Sequence, residues 1–296
     1  MRVFLTGGSG FVGSYILPRL LSAGHSVRAL VHRRARNSTA MPADLLEQVQ
    51  GDICSANLAH LMAGCDAVIN LVGIIYERGN ETFEVVHHHG TRNLVEAARQ
   101  SGVRRFVQMS ALGARPLGGS AYHSSKFSAE EDVRHSGIPW VVLRPSLIVG
   151  AGSAFLQQMI AVMQAAPLFR PVPGTGKYRF RPVDVGDVAE CFVQSLTNLA
   201  ARGQTIDLVG GEELTLNEIG DAIAAHLKVR KTVLHVPLAI MKMAAALFSL
   251  LPIRAPVTSV QLRMLEEGST ADPGPMKRVF EIEPVGFRAG LQRYLK

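Results

Sequence analysis

Cysteine is scarce in this sequence and forms no recognisable pattern. The 296 residues include three cysteines, Cys54, Cys65 and Cys191, and none belongs to a Cys-x-x-Cys pair. An odd number of widely spaced cysteines is typical of a protein from a reducing compartment. Met1 and Arg2 lead into a short strand and a glycine turn, and not into the continuous apolar stretch of a signal peptide. We therefore expect a cytoplasmic protein.

Long hydrophobic runs are also missing, with one partial exception. Residues 236–253 are nearly all apolar, but Lys242 interrupts them, and only 14 residues separate Pro237 from Pro252. That length falls short of the roughly 20 residues that span a bilayer. Three interpretations stay open: a helix packed on its own domain, a helix lying on a membrane surface, or the wall of a pocket for a hydrophobic substrate.

Acidic residues are fewer than lysines and arginines, 24 against 31, and the net charge is +7. A basic balance suits phosphorylated ligands, nucleic acid or an anionic membrane. The densest basic run, residues 32–36, contains no aromatic side chain, and the chain has no nucleic-acid motif, so we expect no nucleic-acid partner. With 47% apolar and 19% charged residues, the chain can bury a core that needs no disulfide or metal.

Short apolar runs alternate with helical patterns through the first half of the chain. We predict strands at 3–5, 27–31, 67–71, 106–109 and 140–143, and helices at 12–23, 55–64, 83–100 and 122–135, with Ser55 capping the second helix. A helix at 185–196 and a strand at 205–209 return to the same sheet. This alternation predicts an α/β fold with a doubly wound parallel (Rossmann) sheet in residues 1–150 and 179–211. Residues 151–178 and 212–296 are predicted to form a smaller C-terminal substrate or lid lobe.

The first predicted strand runs into a glycine-rich turn and then a helix. Glycine permits the tight turn, lets a pyrophosphate approach the backbone, and lets the helix pack close to the strand. The helix N-terminus offers free N–H groups and a positive dipole end to the phosphates. In this strand–turn–helix context the motif predicts that residues 1–150 bind a nicotinamide dinucleotide. The predicted phosphate loop consists of Gly7, Gly8, Ser9, Gly10, Phe11, Val12 and Gly13.

No acidic residue follows the second predicted strand. An NAD site usually places an acid there for the ribose 2′-hydroxyl, whereas this chain continues with His32, Arg33 and Arg34. An arginine can pair with a 2′-phosphate in bidentate geometry. We therefore predict NADP(H) as the cofactor, with Arg33 the first candidate and NAD(H) the alternative. Asp52, followed by Ile53, lies where an acid could hydrogen-bond the adenine amino group.

A tyrosine and a lysine are spaced for proton transfer. Tyr122 and Lys126 are four residues apart in a predicted helix and therefore share one face. A nearby ammonium lowers a tyrosine pKa, so we expect Tyr122 to exchange a proton with a substrate hydroxyl or carbonyl near neutral pH. Ser110 ends a predicted strand, where its hydroxyl could orient the same oxygen. Together the three residues predict hydride transfer between the dinucleotide and a carbonyl or alcohol.

These motifs occur in an order that resembles a known family. They are Thr6-Gly7-x-x-Gly10-x-x-Gly13, Gly51-Asp52, Asn70-Leu71-Val72-Gly73, Gly90-Thr91-x-Asn93-Leu94 and Tyr122-x-x-x-Lys126. Over nearly its whole length the sequence resembles the extended and atypical short-chain dehydrogenases/reductases, the NAD-dependent epimerase/dehydratase group. It is most similar to the branch that contains the 39 kDa accessory subunit of respiratory complex I.

The resemblance implies an oxidoreductase with Ser110, Tyr122 and Lys126 as the catalytic set, and with Lys126 holding the nicotinamide ribose. The substrate would be a carbonyl, an alcohol or a quinone-like molecule, as in the NADH dehydrogenase (ubiquinone) type. One alternative is a cofactor-binding assembly or sensor subunit with little turnover, whose partner is a respiratory complex or a membrane surface. Another is a nucleotide-sugar epimerase or dehydratase. We also expect cofactor contacts from Leu71, Val72, Gly73, Tyr122 and Pro145.

Substrate contacts are expected from residues 71–76, 111–113 and 146–155, whose mostly apolar side chains favour a small or hydrophobic substrate. One departure from the family pattern concerns His87, which replaces an asparagine three residues before the Gly-Thr pair. A proton relay built on that asparagine would lack its central residue. His87, His88 and His89 predict no metal site, because adjacent helical residues point about 100° apart.

Overall fold

A computed structural model describes residues 1–32, 44–55, 57–116, 119–165, 168–249 and 259–295. Its strands are β1 (Arg2–Thr6), β2 (Ser26–Val31), β3 (Leu46–Gln50), β4 (Ala67–Asn70), β5 (Arg105–Met109), β6 (Trp140–Pro145), β7 (Ile148–Val149), β8 (Phe169–Pro173), β9 (Arg179–Phe180), β10 (Val183–Asp184), β11 (Gln204–Leu208), β12 (Leu214–Thr215) and β13 (Thr232–Val236). Its helices are α1 (Gly13–Ser22), α2 (Ala59–Met62), α3 (Gly90–Gln100), α4 (Ala121–Arg134), α5 (Ala154–Ala165), α6 (Val185–Gln194), α7 (Leu216–His226), α8 (Leu238–Ser249), α9 (Ser259–Glu267), α10 (Gly274–Phe280) and α11 (Phe287–Tyr294). A π-helical segment, Glu84–His89, runs directly into α3.

A seven-stranded sheet organises the first of two units, in the order β3-β2-β1-β4-β5-β6-β11. Every neighbouring pair is parallel, which confirms the predicted doubly wound parallel sheet. Val3, Phe4 and Leu5 of β1 are fully buried, as expected for a central strand of a parallel sheet that is covered on both faces. The strand order reverses between β1 and β4. A crevice therefore opens at their carboxyl ends, where doubly wound proteins bind their ligands.

The sequence interpretation missed β3 and misjudged α2. Strand β3 lies at the sheet edge, and its Glu47 is paired with Arg2 at 2.6 Å and with Arg28 at 2.8 Å. Because β3 is polar, its strand conformation depends on pairing with β2 and not on an apolar pattern. The helix expected at 55–64 is only one turn long. The prediction that Ser55 caps it is wrong, since Leu58 occupies the N-cap position without a side-chain hydrogen bond.

The first unit comprises Met1–Pro145, Val185–Leu208 and Gly274–Ile282. The sequence interpretation placed 179–211 in this unit and 274–282 in the smaller lobe. Helix α10 belongs to the first unit because it packs on β11 and buries Met276 and Phe280. Asn198 Nδ2 also donates a hydrogen bond to the Val279 carbonyl at 2.7 Å.

The second unit comprises Ser146–Asp184, Val209–Pro273 and Glu283–Lys296. Strand β8 pairs in parallel with β13, β7 pairs in parallel with β10, and β9 pairs antiparallel with β12. Apolar side chains of α7 and α11, among them Ile219, Ile223, Phe287 and Leu291, form its buried core. Its role as a substrate lobe stays a prediction.

The apolar stretch predicted at 236–253 contains helix α8. No helix within the described ranges is long and apolar enough to cross a bilayer. Ile240 and Met243 are more than half exposed, and Lys242 Nζ lies 2.8 Å from Glu266 Oε2 of α9. Residues 250–253 lie outside the described ranges.

Candidate cofactor and active site

The glycine loop turns out of β1 and packs tightly against the start of α1. Gly7 has a φ of +72°, which favours glycine, and its carbonyl accepts a hydrogen bond from Gly10 N–H at 3.0 Å. A Cβ on Gly13 would clash with the Gly7 carbonyl oxygen and lie 2.6 Å from Gly8 Cα. A Cβ on Gly7 would lie 3.0 Å from the carbonyl carbon of Leu71. The loop therefore brings the N-terminus of α1 to the crevice between β1 and β4, a geometry that suits a pyrophosphate.

Buried polar side chains join the carboxyl ends of β1, β4 and β5. Thr6 Oγ1 donates a hydrogen bond to Asn70 Oδ1 at 2.6 Å, and Asn70 Nδ2 donates to Gln108 Oε1 at 2.9 Å. Asn70 Oδ1 also accepts from Val72 N–H at 3.2 Å. A buried network with its hydrogen bonds satisfied holds the strand ends in one arrangement. Sequence reasoning missed this network, although the polar residue that closes each of two buried strands was a visible signal.

The residues expected around the adenosine are only partly described. His32 Nδ1 lies 3.6 Å from Asp52 Oδ2, and both side chains are exposed. Asp52 Oδ1 accepts a hydrogen bond from Cys54 N–H at 2.9 Å. Arg33 and Arg34 lie outside the described residues. The structure thus places the Asp52 carboxylate, which follows β3, beside the His32 imidazole, which follows β2.

Ile53 is buried, and residues of the Gly90-Thr91-x-Asn93 motif hold it in place. A Cβ on Gly90 would lie 2.6 Å from Ile53 Cδ1, so the Ile53 side chain packs directly against this glycine. Asn93 Nδ2 donates a hydrogen bond to the Ile53 carbonyl at 3.0 Å. Sequence reasoning used this motif as a family marker and missed its physical role, which is to hold the loop after β3 against α3.

Lys126 is a buried cation that bridges two strand ends. Its Nζ lies 3.4 Å from the carbonyl oxygen of Val72 and 3.3 Å from that of Met109. A Cβ on Gly73 would come within 2.8 Å of Nζ, so the loop after β4 passes directly over the ammonium. Burial lowers the pKa of Lys126 to about 8, while Glu130, one turn along α4, acts in the opposite sense.

Ser110 follows β5 directly, and its hydroxyl has no hydrogen-bond partner among the described residues. Its backbone N–H donates to the Leu143 carbonyl at 2.8 Å, which holds the residue against β6. Its Oγ is buried and makes no hydrogen bond to the described part of the chain. Buried polar atoms are normally satisfied, so this hydroxyl is free to bind a further group at the carboxyl end of β5.

Tyr122 opens α4 and packs among aromatic rings. Its ring meets Phe83 edge-on at 5.6 Å between centroids and His87 at 5.3 Å. Burial raises the pKa of Tyr122 to about 12. The sequence interpretation expected the Lys126 ammonium to lower this pKa, and that expectation is wrong. The Lys126 ammonium donates its hydrogen bonds to the Val72 and Met109 carbonyls. Desolvation of the phenolate therefore determines the direction of the shift in the Tyr122 pKa.

His87 replaces the family's asparagine and points inward from the π-helical segment. Its Nε2 accepts a hydrogen bond from Ile74 N–H at 2.9 Å, and its Nδ1 lies 2.9 Å from Ser125 Oγ. Burial and the Lys126 ammonium lower the pKa of His87 to about 2. The imidazole is therefore neutral in the physiological range.

The neighbouring histidines point outward, in a direction different from that of His87. Glu84 Oε1 lies 2.5 Å from His88 Nδ1 and 3.5 Å from His89 Nε2. The wide π turn places Glu84 beside both histidines. His88 Nε2 also lies 2.7 Å from an Arg92 guanidinium nitrogen and 3.2 Å from Asp132 Oδ2. Both ring nitrogens of His88 are thus engaged within a surface ion-pair cluster.

The remaining predicted contact residues fall in different places. Pro145 ends β6, where its carbonyl accepts from Leu112 N–H at 3.0 Å. The segments 71–76 and 111–113 belong to the first unit, and Ile75 and Tyr76 are exposed there. The segment 146–155 belongs to the second unit.

Comparison with known proteins agrees with this geometry. The model of the NAD dependent epimerase/dehydratase family matches residues 3–209. The chain is 28% identical over 253 residues to the NADH dehydrogenase [ubiquinone] 1 alpha subcomplex subunit 9 of Arabidopsis thaliana, covering 81% of this chain and 61% of that protein. It is 32% identical over 214 residues to a 4-hydroxy-2-methyl-3-oxo-4-farnesyl-3,4-dihydroquinoline-1-oxide ketoreductase of Stigmatella aurantiaca, covering 64% and 63%.

The chain therefore spans about three fifths of the length of these two relatives. A solved structure of DesIV, a dTDP-glucose 4,6-dehydratase from Streptomyces venezuelae with NAD bound, has the same fold. Its TM-score is 0.76 at 22% identity, and the match covers 99% of this chain and 95% of that chain.

Proposed function

Because the chain belongs to the NAD-dependent epimerase/dehydratase family, we propose that it is an oxidoreductase. It transfers a hydride between NADP(H) and a carbonyl, an alcohol or a quinone-like substrate. The observation that carries this proposal is the buried hydroxyl of Ser110, which has no partner among the described residues and ends the strand beside Lys126. A substrate oxygen at that position would satisfy it.

The chain's own residues supply proton transfer and orientation. The nicotinamide, when bound, supplies or accepts the hydride at the substrate carbon. Ser110 Oγ donates a hydrogen bond to the substrate oxygen, and Tyr122 Oη transfers the proton to or from that oxygen. Lys126, held by two backbone carbonyls, keeps its ammonium at the strand ends, where it can hold the nicotinamide ribose.

The pKa of Tyr122 favours one direction of this reaction. With burial raising it to about 12, the phenol is protonated at neutral pH and is ready to donate. Reduction of a carbonyl consumes that proton, whereas oxidation of an alcohol requires the phenolate. We therefore propose that Tyr122 acts as the proton donor for carbonyl reduction near neutral pH.

Replacing Ser110 by alanine should lower catalytic activity without lowering the stability of the fold. We expect S110A to lower kcat/KM with an aldehyde or ketone panel by about 10- to 100-fold, because a charge-developing oxygen loses one donor. The unfolding free energy of the cofactor-free protein should stay equal or rise, since a buried hydroxyl without a partner is removed. Activity assays with NADPH and urea unfolding measure the two effects.

The matched control is Ser195, which is fully buried and donates to the Cys191 carbonyl at 2.7 Å. S195A should lose about 1 kcal/mol of stability with unchanged kcat/KM. If S110A turned over as fast as the parent protein, Ser110 would have no part in the reaction.

The basic residues after β2 support NADP(H) over NAD(H). His32 is exposed beside Asp52, and Arg33 and Arg34 follow it in the sequence. An arginine at this position would pair with the 2′-phosphate, and NAD(H) offers no such group. We expect R33A and R34A to raise the Kd of NADPH by about 10-fold or more and to leave that of NADH unchanged. R36A, in the same basic run, is the control, and fluorescence titration is the measurement. A parent protein that bound NADH more tightly than NADPH would overturn this assignment.

A second candidate function is a cofactor-binding assembly or sensor subunit with little turnover. The observation in its favour is the similarity to the complex I subunit relative over 81% of this chain. Copurification with membrane respiratory subunits, together with NADPH binding and no turnover, would support it. The nucleotide-sugar alternative is supported by the epimerase/dehydratase family model and by the shared fold. The cytoplasmic location stays a prediction.

A further inference from the structure

The π-helical segment before α3 brings one imidazole to the centre of the site. Gly90 N–H donates its hydrogen bond to the Val85 carbonyl, five residues back, which is the wide turn of a π-helix. Such turns recur at functional sites because the extra residue redirects a side chain. Here the turn buries His87, which stacks on Phe83 at 5.5 Å and is only 1% exposed.

The hydrogen bonds around His87 define its tautomer. Ile74 N–H can only donate, so Nε2 of His87 is the acceptor and carries no proton. The neutral ring then has its proton on Nδ1 and donates it to Ser125 Oγ at 2.9 Å. Ser125 Oγ in turn donates to the Tyr122 carbonyl at 2.9 Å. The chain of donors runs in one direction, from the loop after β4 to the amino end of α4.

The loop after β4 is held from two sides. The Val72 carbonyl receives the Lys126 ammonium, and two residues later Ile74 N–H is bound by His87. Between them, a Cβ on Gly73 would lie 2.8 Å from Lys126 Nζ and 3.4 Å from His87 Nε2. Moving the Ile74 end of this short segment would move the carbonyl that positions Lys126.

We propose that His87 is a positioning residue that clamps residues 72–74 through Nε2 and thereby sets the place of Lys126 for the dinucleotide. This role rests on the proposed function of Lys126 as a cofactor ligand. Its neutral ring is not a proton relay, since burial and the Lys126 ammonium lower the pKa of His87 to about 2. His87 therefore holds residues 72–74 in place and transfers no proton.

Replacing His87 by glutamine or by asparagine tests the hydrogen bonds of Nε2 and Nδ1 one at a time. The amide of glutamine reaches the position of Nε2 and can accept from Ile74 N–H, whereas that of asparagine reaches only the position of Nδ1 and Ser125. We expect H87Q to bind NADPH within about 2-fold of the parent, and H87N and H87A to raise its Kd by about 10-fold. Thermal unfolding identifies the variants that are folded. A result in which H87N binds like the parent while H87Q binds like H87A would overturn the clamp.

A second measurement does not depend on cofactor or turnover. Nitrogen-15 NMR of histidine-labelled protein should show His87 as the neutral Nδ1–H tautomer with no titration between about pH 5 and 8. A proton on Nε2, or titration in that range, would contradict the inference. If the parent protein reduces no carbonyl yet the H87Q and H87N contrast persists, the proposed enzyme activity fails and the positioning role stands.

Discussion

Replacing Tyr122 by phenylalanine is expected to lower kcat for carbonyl reduction by about 10²–10⁴-fold, the range that a positioned acid or base contributes. The phenol supplies the proton that neutralises the developing alkoxide, and with its pKa raised by burial to about 12 it carries that proton at neutral pH. The ring should keep its place, because its packing is against the rings of Phe83 and His87. Steady-state kinetics with NADPH measure the loss.

Measuring cofactor binding distinguishes the loss of proton transfer in Y122F from a general defect in folding. The Kd of Y122F for NADPH should stay within about 2-fold of the parent value, since the lost hydroxyl makes no hydrogen bond to the described residues. Tyr178→Phe, which removes the same hydroxyl from a tyrosine of the second unit, is the control and should keep full activity. Unchanged turnover in Y122F would remove the tyrosine from the proposed reaction.

Replacing Gly13 by alanine is expected to raise the Kd of NADPH by about 10- to 100-fold and to destabilise the protein by about 2 to 3 kcal/mol. The new Cβ would meet the Gly7 carbonyl and lie 2.6 Å from Gly8 Cα, so α1 and the loop must separate. Hydrogen bonds to a charged group are worth about 1.5 to 3 kcal/mol each. Loss of one backbone donor to the pyrophosphate would therefore raise Kd by about 10- to 100-fold. Urea unfolding and NADPH titration give the two numbers.

Gly24→Ala is the matched control for Gly13→Ala. Gly24 lies just after the C-terminus of α1, and an added Cβ there would meet nothing within 4 Å. Its φ of +77° is strained for alanine, so G24A should cost about 1 kcal/mol without changing the Kd of NADPH. If G24A weakened binding as much as G13A, loss of glycine flexibility, and not a clash in the phosphate loop, would explain both results.

The sequence by itself determined the core of the fold and the position of the phosphate loop. The apolar run Val3-Phe4-Leu5 followed by a glycine turn and a helix is a local pattern, which can be recognised without knowing what packs against it. Its parallel neighbours could be predicted for the same reason, because strands buried on both faces are apolar throughout. Strand β3 could not be predicted, since its polar residues are strand-forming only beside β2.

The tertiary structure decided the electrostatics of the site. The spacing of Tyr122 and Lys126 predicted a shared helix face and a lowered tyrosine pKa, but burial raises the pKa of Tyr122 to about 12. Desolvation depends on what packs around a group, and no local pattern contains that information. The π turn that buries His87 and the contacts that hold Ile74 and Lys126 are likewise products of elements distant in sequence. The sequence thus predicted Ser110, Tyr122 and Lys126 as site residues, whereas packing decides the hydrogen bonds and pKa values of Tyr122, Lys126 and His87.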